Sequence, residues 1–593
     1  MSQLTTAIAE LQGNECQWEA FTTTGQCAVL APPGSGKTKL LTTRMAYDLV
    51  SEEIPPPQGA ACITMTNEAA GELRRRLGAL GVLPRPNVFV GTVHGFALSS
   101  ILAPYARVAG RPAIADSRLA SEREMDLAYQ RAFVNVLGSG ADPRFVRPTM
   151  DRVRRLADYS GVPLLGGPDI AALARRYEAE LQQQGTYDFN DLMRHAVEMV
   201  REHEWLRRLL IATYPHLYVD EYQDLPPTLD ALVRALSFDQ AVDATLFAVG
   251  DPDQAINGFM GTRPELLIEL AGLSGVRRVD LELNYRCGEE IVQASLQALG
   301  EKRNVRGLND GGDIVIEAPT DGPTALRQRA VELVRDARAK GSPYEQITVL
   351  AQANEERDLI VDALRAVDIP VYARSDRDYG TTPVTMAIES LALYAATDPS
   401  PAEELADLLD TWQAVLRETI DHDAITEIVK LLSGTSPESS AADFVAALTS
   451  LGLQDLVTDP GSSQDGRQLE RMCAALAPDG ALKALTVRAL GDRARAKGRV
   501  MAATTHGIKG LEFDVVVVCD CEEGRMPHWG SIKGSDPGAL EEDKRKFYVS
   551  LTRARHRVHL VWSRWRVSKR TGNRYDIDLS RFARSLLGRS SRD

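Results

Sequence analysis

The sequence predicts an α/β protein with two parallel-sheet cores, each carrying a mainly helical insertion. Two observations predict it. Apolar runs of strand length alternate with helical stretches over the first hundred residues, the pattern of successive β–α units. That pattern then gives way twice to long helical stretches, and strands resume after each.

Element by element, "QCAVLAPPGSGKTKLLTTRMA" reads as strand, loop and helix, with the strand at Cys27–Leu30. "AACITMTNEAAGELRRRL" repeats that order, and "NVFVGTVHGF" supplies another strand. From about 97 to 185 the chain reads as helical and charged, as in "SEREMDLAYQRAFVNVL". Strand character returns at 217–220 and 244–250, then in "GDIVIEA" (312–318) and "ITVLAQ" (347–352). From about 377 to 490 it is helical again, and Leu405, Leu408, Leu409, Trp412 and Leu416 mark one apolar face. "FDVVVVCD" (513–520) and "VHLVWS" (558–563) read as the last strands. The expected segments are a first core at 1–96 and 186–282, interrupted by an insertion at 97–185. A second core follows at 283–376 and 491–593, interrupted at 377–490. Two cores leave a cleft, where ligand chemistry usually sits.

Bulk properties exclude several classes. The 25% charged and 44% apolar content is that of a globular chain. Met1–Gln12 lacks the basic start and apolar run of a signal peptide. No stretch approaches the ~20 apolar residues of a membrane span, so no membrane partner is expected. The seven cysteines are scattered, fitting neither a disulfide framework nor a four-ligand zinc site. A reducing cytoplasm is the expected compartment. A net charge of −14 argues against nucleic-acid binding by bulk charge, but not against a local basic groove.

"APPGSGKT" (31–38) follows a strand and opens a helix, as a phosphate-binding loop does, with Ala31 where the first Gly is usual. Gly34, Ser35 and Gly36 let backbone N–H groups curl round phosphate oxygens, and Lys37 can reach the outer phosphates. Thr38 can ligate Mg2+. "LYVDEYQDL" (217–225) sets Asp220 and Glu221 side by side at the end of an apolar run. Adjacent carboxylates repel, and a magnesium-bound nucleotide is what needs both. Asp220 would hold the metal, and Glu221 would orient or deprotonate the attacking water. Gln254 lies beyond a further strand end, where an amide could sense the γ-phosphate or that water.

Taken with the loop, "VDEYQD" resembles the superfamily 1 helicases of the UvrD/Rep/PcrA type. Further stretches match in order: Gln17 in "NECQWEAF", "ITMTNEAAGELRRRL" (63–77), "VGTVHGFA" (90–97), "VGDPDQAINGFMG" (249–261), "LELNYRC" (281–287), "TTHGIKGLEFDVV" (504–516) and "KFYVSLTRARHRV" (546–558). The resemblance implies two RecA-like motor domains and ATP-dependent, 3′-to-5′ movement on single-stranded DNA and at single-strand/duplex junctions. It implies that Gln17 reads adenine, that Tyr285 stacks on it, and that Glu512 approaches the ribose or phosphates. Arg286 and Arg553, from the second core, would act as fingers on the γ-phosphate. Met65, Asn67, Thr92, His94, Asn257 and Phe259 of the first core would contact the strand, as would Thr505, His506 and Lys509 of the second.

Departures from the family pattern sharpen the expectation. Met65 stands where an aromatic is usual, Asn257 replaces a Tyr, and Met260 an Arg. Base–aromatic stacking is worth roughly 1–3 kcal/mol per base, so a weaker grip and a less processive motor are expected. The second insertion looks short, and the chain stops soon after the last motif, leaving no room for a fused nuclease. An alternative is therefore an ATPase subunit acting with a partner nuclease or repair protein; small defence-associated helicases of the GajB type resemble this layout. A kinase-like phosphoryl transferase is a third class, against which "VDEYQD", Arg286 and Arg553 weigh. The basic stretch "RWRVSKRTGNR" (564–574), with Trp565 embedded, reads either as a phosphate-tracking segment or as a solvated turn, and Arg152/Arg154/Arg155 reads by default as a solvated helix face.

Overall fold

The computed structural model describes residues 3–587, except 52, 83–84, 139–142, 157–167, 239–242, 259–260, 302, 374–377, 381, 398–401, 417–421, 459–463, 495–496, 535–536 and 569–570. Two six-stranded parallel sheets organise it. The first comprises β1 (Gln26–Leu30), β2 (Ala60–Thr64), β3 (Val88–Thr92), β4 (His216–Val219), β5 (Thr245–Gly250) and β6 (Val276–Asp280). Its order is β3-β2-β4-β5-β1-β6. The second comprises β7 (Asp313–Ile316), β8 (Ile347–Ala351), β9 (Val371–Tyr372), β10 (Val500–Thr504), β11 (Phe513–Val518) and β12 (Ala554–Leu560). Its order is β7-β12-β11-β8-β10-β9.

The central strands are continuous apolar runs because helices cover both sheet faces. Alternate residues serve opposite cores. Ala28, Ile63, Val219 and Ala248 face one apolar cluster, whereas Cys27, Val29, Cys62 and Val249 face the other. Leu350, Val516 and Val558 divide in the same way from Val349, Val515 and Val517 in the second lobe. Strand β12 begins at Ala554, earlier than the apolar run suggests, since Arg555, His556 and Arg557 mask it in sequence. It pairs on both sides, with β7 and with β11, so the ladder sets its length. Among the described residues no helix is long and apolar enough to cross a membrane.

The first insertion has its own core. Helices Glu122–Leu137, Pro143–Arg154 and Pro168–Gln183 close around Ala128, Phe133, Met150 and Leu173. Near its expected start at residue 97, Ala97, Ile101, Leu102, Ala106 and Ala109 pack in the first-lobe core. Helical pattern there does not separate an insertion from a layer of the sheet it covers. The second helical body is built round Trp412, whose side chain is buried, with Leu405, Leu408, Leu409 and Leu416 packed beside it on helix Ala402–Leu416.

In each basic cluster one arginine departs from the solvated default. Arg154 is buried, and its guanidinium meets Glu178, Asp188 and Asp191. Trp565–Val567 and Arg574–Asp576 form an antiparallel pair, whose Arg566 is buried against Asp520 and Glu522. A one-dimensional charge count shows neither set of acids, which arrive from distant segments.

Candidate nucleotide and nucleic-acid site

The carboxyl ends of β1, β4 and β5 meet at the cleft, where ligands bind in open parallel sheets. After β1 the chain turns through Gly34 and Gly36, at φ +72 and +81, to start helix Lys37–Val50. Side chains resist that left-handed backbone. A Cβ on Gly34 would also lie 2.6 Å from Arg286 Cβ and from Asn284 Oδ1 of the opposite lobe. The loop is thus pressed between lobes. The Ser35 hydroxyl is buried with no hydrogen-bond partner, a donor left over at a helix N-terminus that suits an anion.

The acids after β4 close on this loop. Lys37 Nζ pairs with Glu221 Oε1 at 2.9 Å, and Thr38 Oγ1 donates to Asp220 Oδ2 at 3.2 Å. Glu221 holds φ +53, a strained conformation for a non-glycine residue, of the kind that clusters at working sites. Burial and then the Glu221 charge push Asp220 up to about 6. For Glu221, burial works upward too, but Lys37 and then Lys509 outweigh it and hold the carboxyl at about 2. The two neighbours are therefore differentiated, one toward the neutral form and one firmly ionised. A hydroxyl and a carboxylate side by side are hard oxygen donors, so the donor set fits Mg2+ completed by phosphate and water oxygens.

From Glu221 a hydrogen-bond chain crosses to the second lobe. Gln223 Nε2 donates to Glu221 Oε2 (2.6 Å), and Gln223 Oε1 accepts from the Asp251 backbone N–H (2.9 Å). Gln254 Nε2 donates to Asp251 Oδ2 (3.0 Å), and Gln254 Oε1 accepts from Arg553 Nη2 (3.2 Å). Arg553 is buried; that burial, then the nearby Arg286, pull its pKa down to about 10. Two crowded guanidinium groups call for an anion between them. Arg286 itself contacts Glu512 at 2.6 Å.

Strand Leu283–Gly288 grips the loop backbone. Asn284 Nδ2 donates to the Pro33 carbonyl (2.8 Å), and the Tyr285 N–H to that of Gly34 (2.8 Å). The Tyr285 ring is exposed, and its hydroxyl accepts from Asn14 Nδ2 (2.8 Å). Gln17 is buried behind the loop, with its Nε2 donating to the Ser35 carbonyl (2.7 Å). Asn284, Gln223 and Asp251 escaped sequence reasoning. Each sits inside a quoted motif, but amides and acids one to three residues from a named position carry no signal of their own.

The candidate strand-contacting residues divide. Met65, Thr92 and His94 line one cavity of about 570 Å3, between the first lobe and its insertion, together with Arg155 and Phe189. Phe189, 55% exposed, stands edge-on to His94 with centroids 5.5 Å apart. It is an aromatic platform that no spacing pattern pointed to. Burial and then Arg155 lower the His94 pKa, which favours the neutral ring. Thr92 Oγ1 accepts from the Gly95 N–H (3.1 Å), capping a helix turn. Asn67 opens helix Asn67–Ala79. Asn257 is half-buried just beyond the Gln254 turn, whereas Phe259 and Met260 lie outside the described residues.

Thr505, His506 and Lys509 do not line that cavity; His506 and Lys509 serve lobe-to-lobe contact, and Thr505 bonds within the second lobe. The Thr505 hydroxyl meets Ser550 Oγ (3.1 Å), and His506 Nε2 bonds the Ile256 carbonyl (3.0 Å). Lys509 pairs with Asp224 and donates to the Gln254 carbonyl (3.1 Å). In this conformation the polar groups of His506 and Lys509 are committed to the first lobe.

Comparison with known proteins agrees with this geometry. The UvrD/REP helicase N-terminal domain matches residues 13–146 and 165–272, and the UvrD-like helicase C-terminal domain matches 470–564. The ATP-dependent DNA helicase UvrD2 of Mycobacterium tuberculosis is 26% identical over 605 residues, spanning 96% of this chain and 80% of that protein. The ATP-dependent DNA helicase PcrA of Staphylococcus epidermidis is 23% identical over 630 residues, spanning 94% and 84%.

Proposed function

The chain belongs to the UvrD/REP family of ATP-dependent DNA helicases, and from that premise we propose that it is a 3′-to-5′ single-strand translocase driven by Mg–ATP hydrolysis. The observation that carries this reading is the continuous chain Lys37–Glu221–Gln223–Asp251–Gln254–Arg553, which joins the phosphate loop to the opposite lobe.

Thr38 and Asp220 would hold the Mg2+, which when bound supplies charge neutralisation at the phosphates. Lys37 would bind the outer phosphates once they draw it from Glu221. Glu221, ionised at neutral pH, would take the proton of the attacking water. Gln254 would orient that water. Arg286 and Arg553 would stabilise the charge that develops on the γ-phosphoryl group. Tyr285 and Gln17 would bracket the adenine, with Glu512 near the ribose. Because the acids and the guanidinium groups sit on different lobes, loss of the γ-phosphate weakens closure, and the lobes part.

A single strand would lie across the cavity that holds Met65, Thr92, His94 and Phe189. Phe189 offers the stacking surface that Met65 lacks. Asn67, Asn257, Phe259 and Thr505 would also contact the strand, and His506 and Lys509 would exchange first-lobe contacts for strand contacts as the cleft opens. Met65 at this position also favours a second reading, an ATPase subunit whose grip on DNA is completed by a partner nuclease or repair protein. All seven cysteines are free, which suits a reducing compartment such as the cytoplasm.

Duplexes with a 3′ or a 5′ single-stranded tail test the proposal, with ATP turnover and strand separation followed together. DNA-stimulated turnover, abolished by Lys37→Ala, and separation only from a 3′ tail are expected. Equal separation from both tails defeats the polarity. Turnover without separation until a partner is added selects the second reading.

A further inference from the structure

The turn after β5 is held from the second lobe along its whole length. Arg545 Nε donates to the Ala255 carbonyl (2.7 Å), and His506 and Lys509 hold the next carbonyls on either side. Ile256 packs against Leu299, Tyr548 and Val549 of the second lobe. One further contact goes to side chains. Arg303, between helix Glu289–Leu299 and strand Arg306–Asn309, reaches Asp251 Oδ1 with Nη1 (3.1 Å) and ion-pairs with Asp253. Its Nε is held by Glu301 Oε2 (2.7 Å), which aims the guanidinium at the turn.

We propose that Arg303 is a positioning residue for ATP hydrolysis, acting through Asp251 on Gln254. This rests on the reading of the cleft as an ATP-hydrolysing site. Asp251 is fully buried, and its two oxygens are divided: Oδ1 takes Arg303 and the Asp253 N–H (3.2 Å), and Oδ2 takes the Gln254 amide N–H (3.0 Å). That second bond decides which way the Gln254 amide faces. With its nitrogen on Asp251, its oxygen must face Arg553 and the phosphate side. Without Arg303, Asp251 and Asp253 are two carboxylates on a buried turn with their shared cation gone. Such a pair protonates or moves apart, and either change releases Gln254. Arg303 touches neither the loop nor Lys37, so it contributes nothing directly to nucleotide binding. It also ties Gln254 to closure, since the contact exists only while the lobes are together.

The test uses the full chain with single-stranded DNA and measures kcat and KM for ATP in wild type, Arg303→Gln, Arg303→Lys, Asp251→Asn and the double variant Asp251→Asn/Arg303→Gln. Arg303→Gln is expected to lower kcat roughly tenfold with KM within about twofold, and Arg303→Lys to recover part of the loss. In the Asp251→Asn background, Arg303→Gln should cost no more than about twofold, because the residue it acts through is already changed. Unchanged kcat in Arg303→Gln overturns the proposal. So do losses that multiply fully in the double variant, or a kcat loss that follows the thermal unfolding midpoint. A wild-type chain that does not hydrolyse ATP in this assay overturns the underlying reading instead.

Discussion

The two helical bodies are fastened to their lobes by opposite means. The first is bolted through a buried guanidinium. Arg154, at the end of helix Pro143–Arg154, forms a bidentate pair with Asp188 (2.5 and 2.9 Å), meets Asp191 (3.1 Å), and lies over the Tyr177 ring at 4.6 Å. Asp188 and Asp191 form the capping box of the first-lobe helix Phe189–Glu202, so one cation fixes both the insertion and the start of that helix. Thr228 adds a bond from its hydroxyl to the Arg155 carbonyl (2.7 Å). The second body is fastened by Arg493, which is partly exposed, stacks on Tyr379 at 4.8 Å, and reaches Glu389 and Asp378 only at 3.6 and 3.8 Å. A cavity of about 240 Å3 lies beside that joint. The contrast teaches which body moves with its lobe. The cavity that carries His94 and Phe189 is walled by the bolted insertion and is expected to keep its shape, whereas the second body is expected to reorient more readily.

The largest expected effect breaks the bolt. Arg154→Ala takes the bidentate guanidinium from buried Asp188 and leaves Arg194 as the remaining guanidinium beside Glu178 and Asp191, and should cost about 3–5 kcal/mol in chemical denaturation. It should also weaken single-strand binding, because Phe189 begins the helix that Asp188 caps. A stability change under 1 kcal/mol would show that the two joints do not differ in kind. The smaller effect is at the other joint. Arg493→Ala should change stability by no more than about 1 kcal/mol, as for exposed ion pairs. It should instead broaden the distance distribution between fluorophores on the second helical body and the second lobe. A narrow, unchanged distribution together with a large stability loss would reverse the comparison.

The joints were also where sequence reading reached least. Strand–loop–helix order, the phosphate loop and the acids after β4 are local patterns; β1 and β4 stand where those patterns put them, and beyond their ends Lys37 meets Glu221. Arg154 read as surface because its partners lie 24 to 37 residues away and no period links them. Arg303 and Asp251 are 52 residues apart and meet only because two lobes close. Phe189 lies in a helix start whose exposed ring is visible only with the cavity around it. The lobe-facing roles of His506 and Lys509 depend equally on the closed arrangement.

The central claim is that guanidinium groups of one lobe complete a nucleotide site built on the other. The most direct measurement is the single-turnover rate of ATP hydrolysis on single-stranded DNA in Arg553→Ala, alongside the equilibrium affinity for ATP. A rate loss of about 10³-fold or more with affinity largely kept is expected of an arginine that acts on the transition state. A variant that hydrolyses ATP at the wild-type rate would contradict the account.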